Sequence, residues 1–208
     1  MAREASRLIS LDAVRRALRD YHPRPVDAPD ARPAAVALVL LPVSAAGGGR
    51  GGGLEILLIR RAERADDPWS GQIAFPGGRQ EASDPDLLAT AIRETQEETG
   101  VDLSAAERLG TLDDLYPRTP TLPPVVVRPF VFAIATRPAL VPSDEVERAF
   151  WMPLAHLSES GVRREVTLTL RGAKRTFPAY LVGNGDDVIW GMTERILTPF
   201  LELVATNM

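Results

Sequence analysis

Three glutamates crowded near the end of one helix constrain this chain more than any other feature: Glu94, Glu97 and Glu98, in Arg93-Glu94-Thr95-Gln96-Glu97-Glu98-Thr99-Gly100. At about 3.6 residues per turn, positions i, i+3 and i+4 project from one side of a helix. Like charges at those spacings repel, by ~0.2–0.5 kcal/mol per pair. Gly100 reads as the residue just past the helix end. Glu97 and Glu98 therefore also face the negative end of the helix dipole, where carboxylates are disfavoured. A chain that accepts both penalties implies a cation that reverses them, and hard oxygen ligands suit Mg²⁺ or Mn²⁺. The competing reading of Glu-x-x-Glu-Glu alone is a solvated acidic face.

The residues before the run fix the helix and change that balance. Asp84 reads as the N-cap and Pro85 as the first helical residue, with Asp86 adding charge to the first turn. Leu88, Ala91, Ile92, Thr95 and Thr99 follow the spacing of a buried stripe, with the glutamates on the other side. Upstream, Gly71-Gln72-Ile73-Ala74-Phe75-Pro76-Gly77-Gly78 is a short apolar strand running into a Pro-Gly-Gly turn.

Taken together, residues 78–101, GRQEASDPDLLATAIRETQEETGV, resemble the Nudix box, the signature of hydrolases that cleave a nucleoside diphosphate linked to another group. Gly78, Arg93, Glu94, Glu97, Glu98, Gly100 and Val101 match the family pattern. The spacing from Gly78 to Arg93 is one residue longer than the general pattern, and Thr95 stands at an apolar position. Glu81 and Asp84 replace a single isolated Glu. These departures resemble the branch that hydrolyses coenzyme A and its derivatives. That branch carries a Leu-Leu-x-x-Arg element and Gly-x-x-x-Phe-Pro-Gly-Gly before the box, matched here by Leu57-Leu58-Ile59-Arg60-Arg61-Ala62 and by residues 71–78. Residues 189–197, Ile-Trp-Gly-Met-Thr-Glu-Arg-Ile-Leu, resemble its closing segment. Asp66 stands where the branch has an arginine, and Asp67-Pro68-Trp69-Ser70 replaces a more basic segment. ADP-ribose, nucleotide sugars and modified nucleotides therefore stay open as substrates. A module that binds a nucleotide without hydrolysis is the alternative of another class, disfavoured because all three box glutamates are present.

Composition narrows the setting. The chain has 208 residues, a 45% hydrophobic content and a net charge of −4, which suits one well-packed domain and gives no support for broad nucleic-acid binding. It contains no cysteine, so thiol catalysis, thiolate metal sites and disulfides are excluded together. No apolar run reaches the length of a membrane span and no signal peptide is visible, so a cytoplasmic enzyme is expected. An acidic protein acting on an acidic substrate must rely on divalent ions and a local arginine cluster.

Along the chain, residues 1–33 read as an N-terminal helix (8–18) and a Pro-rich extended linker (21–33), and residues 34–208 as the Nudix hydrolase domain. Strands are expected at 34–43, 54–60, 109–112, 125–135, 150–152, 165–170 and 176–182. A final helix is expected at 193–204, kinked or broken at Pro199. Gly47 to Gly53 lacks the Gly-Lys-Ser/Thr of a phosphate loop and reads as a hairpin tip. The resemblance implies an α/β fold, a Nudix-type α/β/α sandwich around a mixed β-sheet.

For mechanism, Glu94 and Glu98 are the expected ligands of a first Mg²⁺ or Mn²⁺, with Glu97 binding a second ion or a coordinated water. A backbone carbonyl of Gly77 or Gly78 completes the shell, and Arg93 orients the carboxylates. The general base is Glu145, which resembles a loop acid of other Nudix enzymes, or Glu97. His22 and His156 do not look like bases. Arg60, Arg61, Arg79 and Arg128 are the candidates to grip a diphosphate through bidentate contacts, and Trp69 and Tyr116 to stack on adenine. The expected partner is a small nucleotide diphosphate, with no nucleic acid and no membrane. The resemblance allows a homodimer.

Overall fold

The run Arg32–Pro42 (β1) is apolar almost throughout, and the fold turns on that. A strand buried on both faces must have structure above and below it. In the computed structural model, which describes residues 9–43, 53–64, 69–117, 123–170, 172–183 and 187–208, β1 is the middle of a five-strand path. It runs parallel to β6 (Val125–Ala133) and antiparallel to β2 (Leu54–Arg61). The path continues to β3 (Ile73–Ala74) beyond β2 and to β5 (Glu107–Thr111) beyond β6. Parallel and antiparallel pairs make this a mixed sheet.

Alternation along the strands sorts side chains into two layers. Ala35, Ala37 and Val39 of β1, with Leu57, Phe130 and Phe132, pack under α2 (Leu87–Thr99) through Ala91. Ala34, Leu38 and Leu40, with Ile56, Leu58 and Val131, face α1 (Leu11–Arg19) and α4 (Gly191–Thr206) on the opposite side. The result is an α/β/α sandwich.

β1 changes partner along its edge. Leu40–Pro42 pair with β2, whereas Ala34–Val36 pair with β4 (Gly77–Arg79). The expected Pro-Gly-Gly turn is therefore a strand beyond Pro76, because these glycines can lie flat against β1. β7 (Val146–Pro153) pairs with the other edge of β2 and leads into the short helix α3 (Leu154–Leu157). A separate three-strand sheet, β8 (Arg163–Leu170), β9 (Ala173–Val182) and β10 (Asp187–Trp190), precedes α4. β10 is not apparent as a strand in the sequence, being only four residues long.

The leading segment is tied into this core. α1 is capped by Ser10, whose side chain accepts the Ala13 N–H, and it buries Ala13, Val14, Ala17 and Leu18. Residues 21–26 form neither helix nor strand and are strapped just beyond β5. Tyr21 Oη donates to Asp113 at 2.7 Å, and the N–H groups of Arg24 and Val26 donate to Asp113 and Asp114 at 2.9 and 3.1 Å. Ile9, Ala13, Val14, Ala17 and Leu18 thus share the core of the rest, and β1 begins at Arg32, slightly before the expected boundary. Leu8, residues 47–52 of the glycine run and Asp66–Pro68 lie outside the described residues. α4 continues through Pro199 as one helix.

Candidate active site

Helix α2 positions the carboxylates. Its N-cap is Asp86, whose side chain accepts the Ala89 N–H at 2.8 Å, and its end is set by Gly100 at φ 73°. Asp84 is not the cap. It receives two N–H groups of Arg93, each at 2.9 Å, the Glu81 N–H at 2.9 Å and the Thr90 hydroxyl at 3.0 Å. Two charge-assisted bonds hold Asp84 more strongly than helix N–H groups would, and the Arg93 guanidinium keeps its carboxyl well below the usual range.

Glu98 is not on a solvated face. It is 4% exposed and lies on the same buried side of α2 as Thr90, Ala91, Thr95 and Thr99, while Leu88 and Ile92 are only half-buried. Its Oε2 accepts the Gly77 N–H at 2.8 Å, and Arg61 Nη1 stands 3.7 Å from Oε1. Burial pushes the carboxyl up to about 7, against the lowering by Gly77 and Arg61 and with the help of Glu94 and Glu145. Burial likewise raises Glu94, with Arg93 at 3.1 Å opposing it. Glu97 is exposed and pairs with Arg93 at 3.0 Å.

The glycines of β4 let these groups approach. A Cβ on Gly78 would fall 2.3 Å from Glu94 Oε1, and one on Gly77 would fall 2.2 Å from the Ala35 carbonyl oxygen. Close packing of strand and helix thus puts two carboxylates directly against a glycine backbone.

A cleft of about 740 Å³ opens where β1 exchanges partners. Glu94, Glu98, Gly77, Gly78, Arg61, Arg79, Glu145 and Trp69 all line it. Glu97 and Arg93 are not among its lining, Arg93 being spent on Asp84, Glu94 and Glu97. Arg60 binds Glu147 and Asp187 at 2.8 and 2.6 Å instead. Arg128 forms a two-bond pair with Asp114 at 2.8 Å beside a separate pocket of about 400 Å³. Tyr116 lies outside the cleft lining. Arg64, which faces Glu145 at 3.0 Å, and the aliphatic residues Val125, Val127, Met192 and Ile196 line the cleft without having been singled out in the sequence. Among the described residues, no three carboxylates or imidazoles converge as a metal-ligand cluster.

The difference between neighbouring arginines is testable. Arg61→Ala is expected to raise KM for a diphosphate substrate severalfold, whereas Arg60→Ala leaves KM within about twofold. Steady-state kinetics on both variants check this, and equal effects would show that the cleft does not distinguish them.

The NUDIX domain family profile matches residues 32–172, about two thirds of the chain. The chain belongs to the Nudix family. Its residues 78–101 are accordingly a Nudix box, and the protein is a Nudix hydrolase. Human mitochondrial coenzyme A diphosphatase NUDT8 is 33% identical over 178 residues, covering 84% of this chain and 71% of that protein. An uncharacterised fission yeast protein, C14C4.10c, is 35% identical over 132 residues, and the match spans 61% of this chain but only 40% of the yeast protein. The fold is shared with a crystal structure of a MutT/nudix family protein from Enterococcus faecalis, at 21% identity and a TM-score of 0.55 over 90% of this chain and 66% of that one. Among the described residues, no helix is long and apolar enough to cross a membrane.

Proposed function

We propose that this Nudix hydrolase cleaves the diphosphate of coenzyme A or an acyl-coenzyme A, giving 3′,5′-ADP and the corresponding phosphopantetheine. The observation that carries the substrate is the 33% identity to a coenzyme A diphosphatase over most of the chain, with the Leu-Leu-x-x-Arg and Gly-x-x-x-Phe-Pro-Gly-Gly elements both present.

The donor set fits a divalent ion. Glu94 and Glu98 are hard oxygen donors that burial has left reluctant to ionise, a situation that a cation relieves. They would hold Mg²⁺ or Mn²⁺ with a backbone carbonyl of Gly77 or Gly78, and Glu97 would serve from the exposed rim. When bound, the ion supplies charge neutralisation on the phosphate oxygens and acidifies a water.

The remaining work falls to the chain itself. Gly77 N–H fixes the rotamer of Glu98, and Arg93 braces Glu94 and Glu97 from behind. Arg61 and Arg79 face the cleft and offer guanidinium groups to the diphosphate. Glu145 lines the cleft and Glu97 does not, which supports Glu145 over Glu97 as the base that takes the proton of the attacking water. Trp69 offers a ring for adenine.

The test is phosphate release from a panel of diphosphates with Mg²⁺ or Mn²⁺, using a coupled phosphatase. Coenzyme A and acetyl-coenzyme A are expected to be turned over in preference to ADP-ribose, NADH and nucleotide sugars. Preference for one of the latter would discard the coenzyme A assignment and keep the chemistry. Turnover of nothing would favour a nucleotide-binding module. The same panel with Glu145→Gln is expected to lose kcat by ~10²-fold; full retention would return the base to Glu97.

A further inference from the structure

The cleft has two unlike walls. On the α2 side of β4 stand Glu94 and Glu98. On the other side, Ala34, Val36, Val125, Val127, Met192 and Ile196 line the same cleft. Ala34, Val125, Val127 and Ile196 belong to the apolar cluster that packs β1 and β6 against α4, and Val36 and Met192 pack against it. Every one of them is aliphatic. The neighbouring hydroxyl of Thr193 is already used, donating to the Ile73 carbonyl at 3.0 Å. Met192 and Ile196 come from residues beyond the NUDIX match at 32–172, so this wall is supplied partly by the C-terminal segment.

Substrate chemistry discriminates at this point. A cleaved diphosphate leaves one arm on the side away from the adenosine. In ADP-ribose and nucleotide sugars that arm is a ring with an ether oxygen and several hydroxyls, and it carries no methyl group beside the phosphate. Against an aliphatic wall a ring edge crowded with hydroxyls gives up more hydration than a pair of methyl groups does. In coenzyme A the carbon of the phosphate ester is a methylene, the next carbon is quaternary and bears two methyl groups, and a single hydroxyl sits on the carbon after it. Methionine adapts to irregular apolar shapes of this kind.

We infer that the aliphatic wall completed by Met192 and Ile196 is the specificity site for the branched apolar start of the pantetheine arm. The inference rests on the coenzyme A reading and extends it from a substrate name to a set of side chains. The wall selects mainly by holding the two methyl groups, which the ring arms lack. Because it touches an arm that does not react, it contributes equally to the ground and transition states and acts on KM more than on kcat.

The experiment compares coenzyme A with ADP-ribose on the wild type, Met192→Gln and Met192→Leu. Met192 is half-buried, so a polar side chain of similar length leaves the fold in place. Met192→Gln is expected to raise KM for coenzyme A roughly fivefold or more, with kcat within about twofold and a smaller loss on ADP-ribose. Met192→Leu, which keeps the apolar surface, is expected to recover most of that loss. Val36→Thr, nearly isosteric, gives a second reading of the same wall from β1. If the wild type prefers coenzyme A but neither polar variant raises its KM, the wall assignment is overturned and the proposed function stands. If the wild type prefers ADP-ribose, the proposed function fails and the wall assignment fails with it.

Discussion

Replacing Glu98 with Gln is expected to abolish most turnover while making the metal-free protein more stable at alkaline pH. The catalytic loss is set at ~10²- to 10³-fold or more, the scale for removing one group that organises developing charge. Gln keeps an oxygen to accept the Gly77 N–H, so the fold is retained. The stability gain follows from burial. The Glu98 carboxyl is raised from 4.5 to about 7, so the folded protein holds that proton more tightly than the unfolded chain. Its contribution to stability is complete below pH about 4.5 and is lost as pH rises through about 7. Above that, ionised Glu98 costs about 3 kcal/mol that Gln does not incur. Urea unfolding without divalent ions at pH 5 and pH 8 measures this: the variant should gain at pH 8 and change little at pH 5. Equal effects at both pH values would mean that Glu98 is not the buried, reluctant carboxylate described. Full activity in the variant would remove it from the catalytic machinery.

The two glycines of β4 are expected to fail in different ways when replaced by alanine. At Gly78 the added methyl meets the Glu94 carboxylate at 2.3 Å. Arg93 holds that carboxylate, so it is displaced from its place in the cleft rather than swinging aside freely. Gly78→Ala should lose ~10²-fold in kcat/KM and require more divalent ion for half-maximal rate, with a small change in Tm. At Gly77 the clash is with the backbone of Ala35 and Val36, at 2.2 and 2.6 Å, and φ is 152°. Backbone cannot yield as a side chain can, so Gly77→Ala should weaken the β1–β4 pairing and lower Tm by roughly 5–10 °C. Thermal unfolding and metal-dependent kinetics on the pair separate the two outcomes. An unchanged Tm in Gly77→Ala would contradict the pairing, and an unchanged metal requirement in Gly78→Ala would contradict the role of Glu94.

What could be read from the sequence was local. The end of α2 at Gly100, the crowding of Glu94 and Glu98, and the continuous apolar run of β1 all depend on residues within a turn or two of each other. Asp84 and Asp86 show where such reading stops. Both are good caps, and the choice falls to Asp86 because Arg93, far along the helix, claims Asp84. The adjacent arginines make the same point across a sheet. The pairing of β2 with β7 shifts register between Arg60 and Arg61, and only Arg61 then reaches the cleft. Arg128 alternates with Val125 and Val127 on β6, so it cannot share the wall that they line. Met192 and Ile196 look like ordinary helix positions, and their place in the cleft follows from how α4 docks on the sheet.

The strapped leader has a consequence for how the protein behaves in a crowded solution. β5 ends the main sheet, and an open sheet margin is a template on which other chains add strands. Arg15 of α1 bonds Glu107 on that strand at 2.7 Å, and residues 21–26 are fastened to Asp113 and Asp114 immediately beyond it. Helix and strap together are fastened beside this margin of the sheet, while β7, paired with β2 on one side, forms the other. Loss of residues 9–26 is therefore expected to uncover apolar core and to loosen that margin at the same time.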